Sequence, residues 1–136
     1  MTISKKNIPC PCGRQQQKQV LSFEQCCARY LDHFDEHPAP DAESLMRSRY
    51  SGFVLERADY LKATWLTENC PTTIEFEAGV KWLGLDVKRH QQIDPEHAEV
   101  EFVARSRLNG RATRLHETSR FVKKNDRWFY IDGVFA

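Results

Sequence analysis

A chain of 136 residues, 40% apolar and 29% charged, is long enough for one domain and apolar enough to bury a core, which excludes disorder by composition. Its 20 basic and 19 acidic residues leave a net charge of +1, so no global electrostatic argument favours nucleic acid or an anionic membrane as partner. No run approaches the roughly 18 apolar residues of a membrane-spanning helix, and the opening MTISKKNIPC has no apolar stretch behind its lysines to make a secretory signal. A cytoplasmic location is expected, where clustered cysteines stay reduced and bind metal more often than they form disulfides.

The first element is the stretch CPCGRQQQKQVLSFEQCC, residues 10–27, which holds four of the five cysteines. Cys10 and Cys12 flank one proline, and Cys26 and Cys27 are adjacent. Four cysteinates would close a tetrahedral zinc site that leaves no open position for catalysis. Pro9 and Pro11 stiffen the first pair, and Gly13 permits a tight turn after it. Arg14, Lys18 and Arg29 are candidates to offset the negative charge of the thiolates. Adjacent cysteines are awkward ligands for one ion, so His33 or His37 is a candidate to replace one of the pair. Free buried thiols, or a disulfide formed only during purification, are the alternatives; a redox pair is disfavoured because no C-x-x-C is present. Cys70, alone before Pro71, reads as an ordinary thiol. RQQQKQ, residues 14–19, reads as a solvated polar loop.

Two prolines in DEHPAPDAES (35–44) mark a linker, dividing a cysteine segment over 1–37 from an α+β domain over 38–136. Asp41 is a plausible N-cap. Apolar residues at helical spacing predict helices over 41–57, 58–66 and 72–82, the last opened by Pro71 and ended by Gly84. The period then changes to two. LDVKRHQQI, AEVEFVARSRL, RATRLHETSRFV and RWFYIDGVF read as four strands, with hairpin turns at Asn109-Gly110 and Asn125-Asp126. The helices should cover one face of a curved antiparallel sheet.

A two-residue turn at Asn109-Gly110 pairs Phe102 with Glu117, and one at Asn125-Asp126 pairs Phe121 with Tyr130 and Ser119 with Asp132. The covered face then carries Glu117, Ser119 and Asp132 among apolar neighbours, with Arg47 and Arg49 of the overlying helix as natural partners. Two readings are open: the polar floor of a ligand pocket, or a charged network that fixes helix to sheet. Arg105, Arg107, Arg114 and Arg120 share the outer face, where His116 reads as an ordinary exposed histidine.

CPCG and SFEQCC resemble the SEC-C motif, the small zinc-binding segment also found at the C-terminus of the SecA translocation ATPase. LMRSRYSGF (45–53), ADYLKATW (58–65), WLGL (82–85), FVARSR (102–107), LHETSRF (115–121) and RWFYIDG (127–133) are similar to stretches of the YchJ-like family of uncharacterised bacterial proteins. The resemblance implies a nuclear transport factor two-like cone, three helices over a bent sheet, behind a zinc segment. It departs from the family pattern between Cys12 and Cys26, which enclose 13 residues with Arg14-Gln15-Gln16 in place of a glycine-rich run. Lengthening a flexible loop from about eight residues costs only ~0.4 kcal/mol, against roughly 10–16 kcal/mol for a structural zinc. No nucleophile–base pair, phosphate loop or open metal site is visible. The expected function is a zinc-stabilised adaptor that meets a protein partner through the cysteine segment. The alternative is a small-molecule binder or enzyme using the cone pocket around Glu117, Asp132 and Arg49.

Overall fold

The computed structural model describes residues 8–136; the first seven residues of the expected cysteine segment, and most of the stretch read for a signal, lie outside them. A two-stranded hairpin, β1 (Gln15–Gln16) and β2 (Gln19–Val20), leads into the short helix α1 (Ala28–Leu31). Helices α2 (Ala42–Val54) and α3 (Ala58–Ala63) follow. A four-stranded antiparallel sheet in the order β3 (Lys81–Asp94), β4 (His97–Leu108), β5 (Arg111–Lys124), β6 (Arg127–Phe135) completes the α+β fold. None of the described helices is long and apolar enough to cross a membrane.

Asp41 caps α2 as expected, its carboxylate accepting the Ser44 amide at 2.7 Å. The helix is buried on nearly every side, and small residues make that feasible. Ser48 Oγ meets Tyr60 Oη at 2.7 Å, and a Cβ at Gly52 would lie 3.2 Å from Leu61 Cδ2. The helix expected over 72–82 does not form. Thr67–Asn69 makes a single 3₁₀ turn, 71–80 has no regular structure, and Lys81 and Trp82 already belong to β3. Thr72, Thr73 and Ile74 are consecutive β-branched residues, which disfavour helix. The apolar positions Ile74, Phe76, Val80 and Trp82 fit an extended, period-two reading as well as a helical one.

The register between β4 and β5 is the expected one, with Leu108 opposite Arg111 and Phe102 opposite Glu117. Both turns have left-handed central residues, Asn109 and Gly110 at φ 52° and 78°, Asn125 and Asp126 at 52° and 62°. Between β5 and β6 the expectation holds only at the turn end. Phe121 faces Tyr130, but Arg120 faces Asp132 and Ser119 faces Gly133, because Ile131 is an extra residue in β6. One inserted residue moves every later side chain to the other face. Asp132 therefore lies on the outer face, contrary to the sequence reading, and Val134 lies there with it. Residues 64–66 run beside the β6 edge, with Leu66 N donating to Tyr130 O and Tyr130 N to Thr64 O, each at 2.8 Å.

The cysteine segment shares one core with the cone: Cys10, Cys12, Phe23 and Leu31 belong to the same buried cluster as Leu45, Val100 and Phe121. Arg127 of β6 donates to the Phe34 carbonyl at 2.7 Å, and Arg57 to the Leu31 carbonyl at 2.9 Å.

Candidate metal centre and the cone cavity

RQQQKQ is not a loose loop. It forms the β1–β2 hairpin, whose turn residues Gln17 and Lys18 both sit in the left-handed region, at φ 54° and 66°. Cys10 N donates to Leu21 O and Leu21 N to Arg14 O, both at 2.9 Å, so the hairpin base holds the first cysteine pair beside the second. Cys27 caps α1, where its carbonyl accepts the Tyr30 and Leu31 amides at 3.0 Å. This turn brings both adjacent sulfurs to one point.

The ligand atoms of Cys10, Cys12, Cys26 and Cys27 all lie within 4.8 Å of one another, and all four residues are buried. Cys12 and Cys26 sulfurs are 3.6 Å apart and those of Cys26 and Cys27 4.0 Å. Four sulfurs at about 2.3 Å from a central zinc would be about 3.8 Å apart, so spacing and donor type fit a tetrahedral metal. All four are free thiols. Hydrogen bonds from Cys12, Cys26 and Cys27 hold the Cys10 thiol far below its usual range. Donation to Cys10, together with burial, pushes Cys27 well above it. Cys12 is lowered as well and Cys26 raised, so the first cysteine pair is the readier to ionise; a bound cation would favour the thiolate form of all four.

Arg29 Nε donates to the Cys26 carbonyl at 3.0 Å and Nη2 to Tyr30 Oη at 3.0 Å. Arg14 instead bonds Ser44 Oγ at 2.9 Å, and Lys18 is exposed at the hairpin turn. Arg47 takes their place at the cluster: it donates to the Cys12 carbonyl at 3.1 Å and pairs with Glu43 at 2.8 Å. It does not meet Glu117 or Asp132. Arg47 and Arg49 are two residues apart on one helix, about 200° around its axis, and so serve opposite sides. His33 and His37 are exposed and stack edge-on, ring centroids 6.2 Å apart, outside the thiol group. Cys70 is half-buried, its sulfur 3.3 Å from the Pro71 carbonyl.

Between α2 and the sheet lies a cavity of about 380 Å³. Its walls include Tyr50, Phe53, Trp65, Trp82, Phe121 and Tyr130. Arg49, Glu117 and Ser119 supply its polar floor, and Glu56, Glu75 and Glu77 also line it. The Arg49 guanidinium lies over an edge-to-face pair of rings, 5.0 Å from the Trp65 centroid and 4.5 Å from that of Tyr130. Its Nη1 donates to Leu61 O and Thr64 Oγ1, both at 2.8 Å. Burial pulls its pKa down to about 10, which leaves it charged at neutral pH. Glu117 accepts on Oε2 from the Ser119 hydroxyl and, at 3.3 Å, from Tyr130 Oη. Burial and the Glu117 charge push the Tyr130 phenol up.

Sequence reasoning brought Arg49, Glu117 and Ser119 to one place correctly and misplaced Asp132, which is held on the outer face by Arg120 through bonds of 2.6 and 2.7 Å. It missed Gly133. An ideal Cβ there would lie 2.2–2.7 Å from the Glu117 side chain, so the carboxylate rests where only glycine leaves space. The contact of the Trp65 and Tyr130 rings with Arg49 was also missed, since tertiary packing of this kind leaves no mark in the sequence. On the outer face His116 Nε2 sits 2.7 Å from Glu101, and Arg105 pairs with Asp86.

A closed cluster of four cysteines carried on a cone of helices and bent sheet defines the class: a SEC-C motif protein with an NTF2-like domain. Two solved structures share the architecture at 28% identity. A SEC-C motif containing protein from Psychrobacter arcticus has a TM-score of 0.78, covering 97% of this chain and 85% of that one. A second, from Rhodopseudomonas palustris, has a TM-score of 0.79 and covers 95% and 99%. Residues 41–133 match the family model for the YchJ middle NTF2-like domain. UPF0225 proteins of Polaromonas sp. and Polaromonas naphthalenivorans are 61% and 58% identical, over 91% and 92% of this chain and 91% and 96% of theirs. The chain belongs to this YchJ-like UPF0225 family.

Proposed function

We propose that this protein is a zinc-stapled small-molecule-binding protein of the cytoplasm, with the cysteine cluster as structural clip and the cone cavity as working site. The observation that carries the reading is the burial of all four sulfurs, with Cys12 fully enclosed. A four-thiolate ion so enclosed has no position for substrate, and its contribution is to folding. The cavity is of a size suited to small ligands and combines apolar walls with a few convergent polar groups. Cys10, Cys12, Cys26 and Cys27 would hold the zinc, while Arg29 and Arg47 brace the carbonyls of Cys26 and Cys12. Elemental analysis of protein purified without chelators tests the clip: one zinc per chain, lost in Cys10→Ser and Cys26→Ser, supports it, and metal-free native protein overturns it. The adaptor reading draws support from the hairpin, exposed from Gln15 to Val20. It requires a protein partner lost on shortening 15–20 to a tight turn while zinc is retained.

A further inference from the structure

We infer that the cone cavity binds an organic ammonium ion, a protonated amine on an apolar or aromatic body, with the Glu117 carboxylate as its anchor. The inference rests on the small-molecule reading above and narrows it to one charge and one anchoring residue. Glu117 is only 7% exposed, and its exposure is to the cavity it lines. Oε2 is occupied by Ser119 and Tyr130, whereas among the described residues no donor reaches Oε1. Oε1 also keeps solvent-accessible surface, since among the described residues no fully enclosed side-chain oxygen lacks a partner. A carboxylate so deeply buried is costly unless a cation meets it. The one cation beside it, Arg49, makes no ion pair with it and directs Nη1 to Leu61 O and Thr64 Oγ1.

The rest of the lining has the same sign. Glu56, Glu75 and Glu77 join Glu117, and Arg49 is the single basic residue of the lining. Four carboxylates against one guanidinium attract a cation and repel an anion. Tyr50, Phe53, Trp65 and Trp82 offer ring faces and apolar area to the body of such a ligand and to its charge. Gly133 completes the arrangement, because any larger residue would displace the carboxylate. A network built only to fix α2 to the sheet would pair Arg49 with Glu117 directly and leave no oxygen facing open space.

The test is a matched trio of probes titrated into zinc-loaded protein at neutral pH, read by quenching of Trp65 and Trp82: 1-naphthylmethylamine, 1-naphthylmethanol and 1-naphthoate. The amine should bind at least about tenfold more tightly than the alcohol, with the carboxylate weakest, as a charge-assisted hydrogen bond requires. Glu117→Gln should bring the amine down to the alcohol while changing the alcohol less than about twofold. Equal binding of amine and alcohol, or tightest binding of the carboxylate, overturns the ammonium anchor while leaving the small-molecule reading intact. Failure of all three to bind removes both. Should Glu117→Gln not fold, the wild-type ranking still decides, and Glu75→Gln at the rim should weaken the amine alone.

Discussion

Gly133→Ala carries the sharpest expectation of the structure. The backbone there is not left-handed, so alanine itself is permitted and would restore about 0.5–1 kcal/mol of strand preference. Its methyl, however, would lie 2.2 Å from Glu117 Oε2, far inside contact distance. Glu117 must swing away and give up the Ser119 and Tyr130 hydrogen bonds, each worth about 1.5–3 kcal/mol to a charged acceptor, or the strand must shift at a crowding cost of about 1–3 kcal/mol. A net loss of about 2–4 kcal/mol is expected, a fall of roughly 8–15 °C in Tm for a chain of this length. The obstacle is one side chain, so the cost should vanish when that side chain does. In a Glu117→Ala background Gly133→Ala should be neutral or stabilising by up to about 1 kcal/mol. Urea denaturation of the four proteins at saturating zinc gives the coupling directly. An equal cost of Gly133→Ala in both backgrounds, with coupling below about 0.5 kcal/mol, would refute the reasoning.

On the proposed zinc clip, treatment with a chelator or the change Cys26→Ser should lower Tm by more than about 10 °C, since the clip would join the segment to the core; circular dichroism melts check this. Gln17→Asn with Lys18→Gly should raise stability by about 1–2 kcal/mol in urea, because both residues sit in the left-handed region that asparagine and glycine tolerate best. The Arg120 guanidinium holds the Asp132 carboxyl below its ordinary value. That contribution is complete above the unfolded pKa of about 4 and is lost as pH falls through the lower folded value. The two side chains are 52% and 44% exposed, which limits it to about 0.5 kcal/mol. Asp132→Asn should flatten the acid limb of a stability–pH curve by that amount between about pH 2 and 5.

How much of this was legible follows from where the information resides. The Asn109-Gly110 turn fixes a period-two pattern at one end, and every pairing between β4 and β5 then follows by counting. The same counting failed beyond Ile131, because a bulge in an apolar strand carries no residue signal, and Asp132 changed faces with it. The cysteine spacing declared a four-ligand group; Arg47 as its brace was not readable, because the side of α2 that meets the cysteines is a tertiary fact. Gln17 and Lys18 are poor turn formers, so the hairpin between the cysteine pairs was hidden too.

Helix α2 explains why the two sites belong to one molecule. Met46, Arg49, Tyr50, Phe53 and Val54 recur at three- and four-residue intervals along the side that lines the cavity. Ser44, Ser48, Ser51 and Gly52, on its remaining surface, are small and buried, which lets the cysteine segment and α3 approach closely. Ser51 Oγ lies 3.7 Å from the Cys10 sulfur, and Ser44 Oγ holds Arg14 at 2.9 Å. A helix with serines where an ordinary surface helix has solvent is one packed on both sides, and this shapes its sequence pattern more than amphipathicity does. The cysteine cluster therefore grips the back of the helix whose front forms a wall of the cavity, and Arg47 and Arg49 divide their charges between the two.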